Sequence, residues 1–118
     1  MNCEGVWSVE IGTGYGWERI ATAFMKNGEY LAASAGHYSI GTYTQDGEDV
    51  EISANVKQYA DLRTVFGLKT TDKLDVISKC KLGKNEMTGK TRARGKGKGK
   101  GKKKYEIVIR FTRLETFD

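Results

Sequence analysis

Residues 50–59 read VEISANVKQY. Val50, Ile52, Ala54 and Val56 fall on one side of an extended chain, and Glu51, Ser53, Asn55 and Lys57 on the other. Successive side chains of a strand point to opposite faces, so the stretch reads as a strand with one dry face and one wet face. A helix would need apolar residues three apart as well as four, and the positions three apart here are polar. The neighbouring sequence repeats the pattern. Asp46-Gly47 precedes it as a hairpin signal, and HYSIGTYT lies upstream of that turn. Further back, Asn27-Gly28 separates RIATAFM from YLAAS, and Asn-Gly is the strongest short hairpin signal because a type I′ turn needs φ > 0 at both central residues.

The alternation extends to both ends. GVWSVEI, KLDVISKCKL and KYEIVIRFTRLE all carry it, and the polar EMTGKTRARG can pair beside them. Only ADLRTVFGLKTTD breaks it, and it reads as a loop or one short helical turn with Val65 and Phe66 as plugs. Seven or eight short strands joined by tight turns predict an all-β domain spanning residues 1–118. A meander of this kind hides its edges by closing into a single small antiparallel up-and-down barrel of about eight strands, whose interior is filled by side chains or holds one small ligand. The expected interior is Trp7, Val9, Ile11, Phe24, Ile40, Val50, Ile52, Val56, Leu74, Val76, Ile107 and Ile109. Of these, Trp7, Phe24, Ile52 and Ile107 are the candidate contacts for a ligand inside the barrel.

Charge divides the chain unevenly. The formal net charge is +5, yet Lys90–Lys104 holds nine of the twenty basic residues and no acidic one. The remainder carries 11 basic against 15 acidic residues and is mildly acidic. Glycines alternating with like charges prevent a helix, so residues 90–104 are expected to form a flexible loop before the last strand. Lys90, Arg92, Arg94, Lys96, Lys98, Lys100, Lys102, Lys103 and Lys104 are candidate polyanion contacts. With no aromatic to stack on bases, they predict weak, non-specific nucleic-acid binding.

Several motifs invite an enzymatic reading and do not sustain it. In VEIGTGYGWERI the glycines Gly12, Gly14 and Gly16 suggest a dinucleotide fingerprint, but Trp17 stands where the last glycine belongs and a strand pattern follows. GKNEMTGKT has five residues between Gly83 and Gly89 where a phosphate loop has four, and nothing helical follows. His37 is the one histidine. No triad, metal set or carboxylate pair can be argued from spacing, so no catalysis, cofactor or metal is expected. Cys80 alternates with apolar residues and reads as a buried thiol, and nothing demands its pairing with Cys3. MNCEGVWSVE lacks the basic and apolar regions of a signal peptide, and no run is long enough to span a membrane, so the expected location is cytoplasmic.

NGEYLAASAGHYSIGTYTQDGEDVEI, followed by TVFG and framed by GVWSVEI and IRFTRLE, resembles the GrlR-like family. These are small bacterial proteins named for a negative regulator of type III secretion genes. The resemblance implies a lipocalin-like or avidin-like barrel, often a homodimer, that binds a protein partner such as a transcriptional regulator and has no catalytic residues. An acidic surface loop makes that contact in the namesake. Its counterpart here is QDGED, which would make Asp46, Glu48 and Asp49 the protein-binding residues. The expected function is a non-enzymatic regulatory module, with a lipocalin-like carrier of a small apolar ligand as the alternative.

Overall fold

Strands form where the alternation predicts them. The computed structural model describes residues 2–58, 74–94 and 105–117. It contains β1 (Gly5–Thr13), β2 (Gly16–Lys26), β3 (Glu29–Ala33), β4 (His37–Asp46), β5 (Asp49–Gln58), β6 (Leu74–Leu82), β7 (Glu86–Arg94) and β8 (Tyr105–Glu115). Each strand pairs antiparallel with the next, and β8 returns to β1, so the sheet closes as an eight-stranded up-and-down barrel. The expected loop with Val65 and Phe66, and the lysine-glycine run 95–104, lie outside the described residues.

The turns follow their glycines. Asn27 and Gly28 both take positive φ, 52° and 79°, as a type I′ hairpin requires. At the next hairpin Asp46 remains in the strand opposite Asp49, and Gly47 (φ 62°) is the first of two loop residues. Gly12, Gly14 and Gly16 belong to the β1–β2 turn region, and strand β2 follows them.

Basic residues 90–94 need a correction. They are the second half of β7, paired with β8, and not the start of a loop. The polar appearance of this strand misleads because its inward face needs only Met87, Gly89, Thr91 and Ala93. Lys90 and Arg92 face outward, where both approach Glu106.

Two interior expectations are also overturned. Phe24 and Ile40 point outward and are 43% and 49% exposed. On β2 both faces are apolar, so alternation could not set the phase; Ala23 and Met25 are the residues inside. The deciding factor is size across the ladder. Trp7 stands opposite Ala23, and Tyr30 stands opposite Gly41. Putting Phe24 and Ile40 inside would set bulk against bulk. Trp7, Val9, Val50, Ile52, Leu74, Val76 and Ile109 are buried as expected, and Ile11, Val56 and Ile107 are partly so.

One end of the barrel is packed solid. Trp7, Met25, Ile52, Met87 and Phe111 are fully buried there. The Arg113 guanidinium lies 4.3 Å over the Trp7 ring and donates to the carbonyls of Glu4 and Asn2. Trp7 Nε1 donates to the Cys3 carbonyl at 3.0 Å, so residues 2–4 cap this end.

Closure rests on polar contacts as well. Glu10 and Arg110 are direct neighbours across the β1–β8 ladder, with Nε donating to the carboxylate at 2.6 Å. Thr112 and Ser8 hydroxyls donate to the same carboxylate, and Arg110 stacks 4.4 Å over Trp17. Burial alone would raise the Glu10 carboxyl, but the hydrogen bonds from Arg110, Thr112 and Ser8 outweigh it and hold the group below its ordinary value.

Two predictions follow from the packing and the seam. A Cβ on Gly89 would lie 2.7 Å from Cys80 Cα and closer still to the Lys79 carbonyl, whereas Gly14 faces open space. Gly89→Val is expected to cost roughly 3 kcal/mol or more in urea unfolding, against under about 0.5 for Gly14→Ala. Glu10→Gln is expected to cost about 1–2 kcal/mol at neutral pH. The folded carboxyl titrates below its unfolded value of about 4.3, so this contribution is complete above that pH and is lost as pH falls through the folded value. Urea melts of wild type and Glu10→Gln should therefore converge as the pH is lowered below about 4.

Candidate ligand cavity

Packing changes character along the barrel axis. In the half away from the cap the inward side chains shrink to Ala21, Ala32, Ser39, Ser78 and Thr91, and a cavity of about 110 Å³ remains between them. Val9, Val56, Leu74, Val76, Ile107 and Ile109 supply most of its apolar wall. A bulge helps shape it. Val9 pairs with Ala21 and Glu10 with Arg19, so Ile20 is an extra residue in β2, and both Ile20 and Ala21 line the cavity.

Four strands bring polar groups to this wall. Ser78 on β6 and Thr91 on β7 are direct cross-strand partners, and their buried hydroxyls share a hydrogen bond of 2.7 Å. His37 on β4 is also in the lining, and its Nε2 is fully buried with no hydrogen-bond partner among the described residues. Tyr30 on β3 also lines the space, with its ring edge-on to Phe111 at 6.5 Å.

Burial also sets the protonation of two titratable side chains here. Burial raises the Tyr30 phenol well above its ordinary value, with the neighbouring Cys80 adding to the effect. Burial alone pushes the Cys80 thiol up to about 12, so both groups keep their protons at neutral pH. Among the described residues no group of three or more His, Cys, Asp or Glu side chains could hold a metal ion. What the arrangement offers is an apolar enclosure with a few polar marks, the common form of a small-molecule site.

The candidates from sequence divide. Ile107 lines the cavity, whereas Trp7 and Ile52 pack the filled half and Phe24 faces solvent. Phe24 is thus corrected as a ligand contact, for the reason of phase given above. Asp46, Glu48 and Asp49 are exposed at the β4–β5 turn, at the capped end, and Lys81 pairs with Asp49 from β6. Lys90 and Arg92 lie outside on β7 beside Glu106, whose carboxyl is held below its ordinary value chiefly by the Arg92 hydrogen bond. Arg94 ends β7, and Lys96, Lys98, Lys100, Lys102, Lys103 and Lys104 lie outside the described residues.

Sequence reasoning missed His37, Ser78 and Thr91 as cavity residues. A signal for Ser78 existed, since it shares a face with Val76 and Cys80 in KLDVISKCKL. His37 gave none, because no partner residue marks it. No protein-family model matches this chain, and no curated protein matches it in sequence.

The contrast between the two halves is testable with one substitution in each. Ala23→Leu, opposite Trp7, is expected to overpack the filled half and cost about 1–3 kcal/mol. Ala32→Leu adds the same atoms to the cavity and should cost less than about 1 kcal/mol. Thermal unfolding of the two variants beside wild type measures the difference.

Proposed function

We propose that this chain is a non-enzymatic binding barrel that takes one small, largely apolar molecule into its open half. The observation that supports this reading is the unequal filling of the interior. Large side chains crowd the capped half, while the other keeps a cavity of about 110 Å³ with an apolar wall. An apolar cavity of about 150 Å³ is known to admit benzene, so the occupant here is of comparable or slightly smaller size. The cytoplasmic setting and the weak polyanion binding of the basic run belong to the proposal on the strength of the sequence. Among the described residues no helix is long and apolar enough to cross a membrane.

A second reading gives the outer wall a protein partner, as the GrlR-like resemblance implies. Phe24, Leu31 and Ile40 are direct neighbours across β2, β3 and β4 and form an outward apolar row, and the exposed acidic turn continues from β4. A homodimer or a regulator bound there would be indifferent to filling of the cavity.

Titration of ¹⁵N-labelled protein with benzene and toluene separates the readings. Amide shifts centred on Ala32, Val76, Ser78, Thr91 and Ile109 are expected, with Kd near 1 mM, equivalent to about 4 kcal/mol. Ala32→Leu should abolish them. Shifts confined to the outer row, or none at all near 5 mM probe, would overturn the ligand reading.

A further inference from the structure

We infer that the outer wall beside the β1–β2 turn binds single-stranded nucleic acid, with Tyr15 and Trp17 as stacking surfaces for bases and the surrounding cations as phosphate contacts. This is a second site, outside the barrel and independent of the cavity. Its starting point is a pair of aromatic rings held in solvent. Tyr15, in the turn, is fully exposed, and Trp17, at the start of β2, is 42% exposed. Hydrogen bonds order the turn: Thr13 Oγ1 donates to the Gly16 carbonyl and accepts from the Tyr15 N–H. Gly12 lies between Trp17 and Val108, and a Cβ there would be 3.6 Å from each. Without that side chain the indole rests against β1. The Arg110 guanidinium stacks on one face of the ring at 4.4 Å, and the remaining exposure leaves area for another planar group.

Charge around these rings selects the partner. Strands β2, β1, β8 and β7 are neighbours in that order. On their outer wall toward the turn, the cations Arg19, Lys90, Arg92 and Arg110 outnumber the carboxylates Glu10 and Glu106. Strand β8 runs antiparallel to β1, so the rung where Ala93 pairs with Tyr105 belongs to the same end of the barrel as the turn. Residues 95–104, which connect β7 to β8, carry six lysines and no acidic residue. The basic run has charge without an aromatic ring, the turn has the rings, and the register of the barrel joins them at one end. A polyanion with exposed planar groups satisfies both. Phosphates meet the cations and release counterions. A duplex presents phosphates but keeps its bases stacked on one another, and unstacking one costs a few kcal/mol. A sulfated polysaccharide has no bases. The bases of a single strand can stack on exposed aromatic rings whatever their sequence, since every base has a π-face.

The test titrates the intact chain, at about 50 mM salt, with an oligothymidylate of about 15 nucleotides, a duplex of the same length and heparin. Of the two tryptophans Trp7 is buried and Trp17 exposed, so stacking on Trp17 is read as quenching of the exposed indole. Oligothymidylate is expected to quench that emission, and heparin to bind without quenching it. Tyr15→Ala removes a fully exposed side chain and leaves the core untouched. It should weaken oligothymidylate binding about fivefold or more, equivalent to about 1 kcal/mol, while duplex and heparin stay within about twofold. Trp17→Phe keeps a ring and should lose the quenching signal while retaining part of the affinity. Oligothymidylate binding that is unchanged in Tyr15→Ala, or that leaves the emission of Trp17 unaltered, would overturn the inference and reduce this wall to a charged surface. Equal losses for all three probes in Tyr15→Ala would overturn it as well, as would no binding of oligothymidylate at this salt.

Discussion

An antiparallel meander leaves two unpaired edges unless its first and last strands meet, and everything else in this protein depends on that meeting. Between β1 and β8 the backbone ladder is reinforced on its outer side by Glu10, which takes hydrogen bonds from Arg110 and Thr112 on β8 and from Ser8 on its own strand. Arg113 does the equivalent at the capped end, stacking on Trp7 and holding the carbonyls of residues 2 and 4. These groups are partly buried and geometrically matched, which is the circumstance in which charged hydrogen bonds contribute rather than cancel against solvent. Closure removes the edges as sites of association and turns one sheet face into an interior.

A closed barrel then has a finite volume to fill, and the ladder decides how. Trp7 against Ala23 and Tyr30 against Gly41 set large residues opposite small ones, while Gly41 and Gly89 let neighbouring backbones approach where any side chain would collide. The bulk is concentrated at the capped end. Small residues and a bulge at Ile20 leave the other end unfilled. Interiors are ordinarily packed to the density of organic crystals, so the unfilled half is the feature on which the proposed binding role rests.

Burial sets the state of the titratable groups near the cavity. It holds Cys80 and Tyr30 in their protonated forms, and among the described lining residues His37 has no acidic or thiol companion. On the outer wall Asp49 pairs with Lys81, and Glu106 with Lys90 and Arg92. The basic cluster seen in the sequence is therefore partly offset where it runs along β7. The same folding that pairs those cations on the surface directs Thr91 inward between them.

Period-two alternation by itself determined the strands apart from the second half of β7, because a strand with one clearly apolar face cannot hide its pattern. The hairpin at Asn27-Gly28 was equally legible, since positive φ at two successive positions admits few residues. The interior members Trp7, Val9, Val50, Ile52, Leu74, Val76 and Ile109 could be read directly, each being flanked by polar neighbours or by a clear turn. Phase was not legible where both faces are apolar, as on β2, or where glycine and serine occupy the inner face, as on β4. Only the cross-strand register, which sets Trp7 opposite Ala23 and Tyr30 opposite Gly41, could show that Phe24 and Ile40 face out. The cavity belongs to the tertiary structure altogether. It is made of what Ala21, Ala32, Ser39 and Ser78 do not fill, and an unfilled volume has no residue in the sequence to announce it. His37 likewise joins the cavity lining only through the fold, which sets it beside residues remote in sequence such as Leu74 and Ile107.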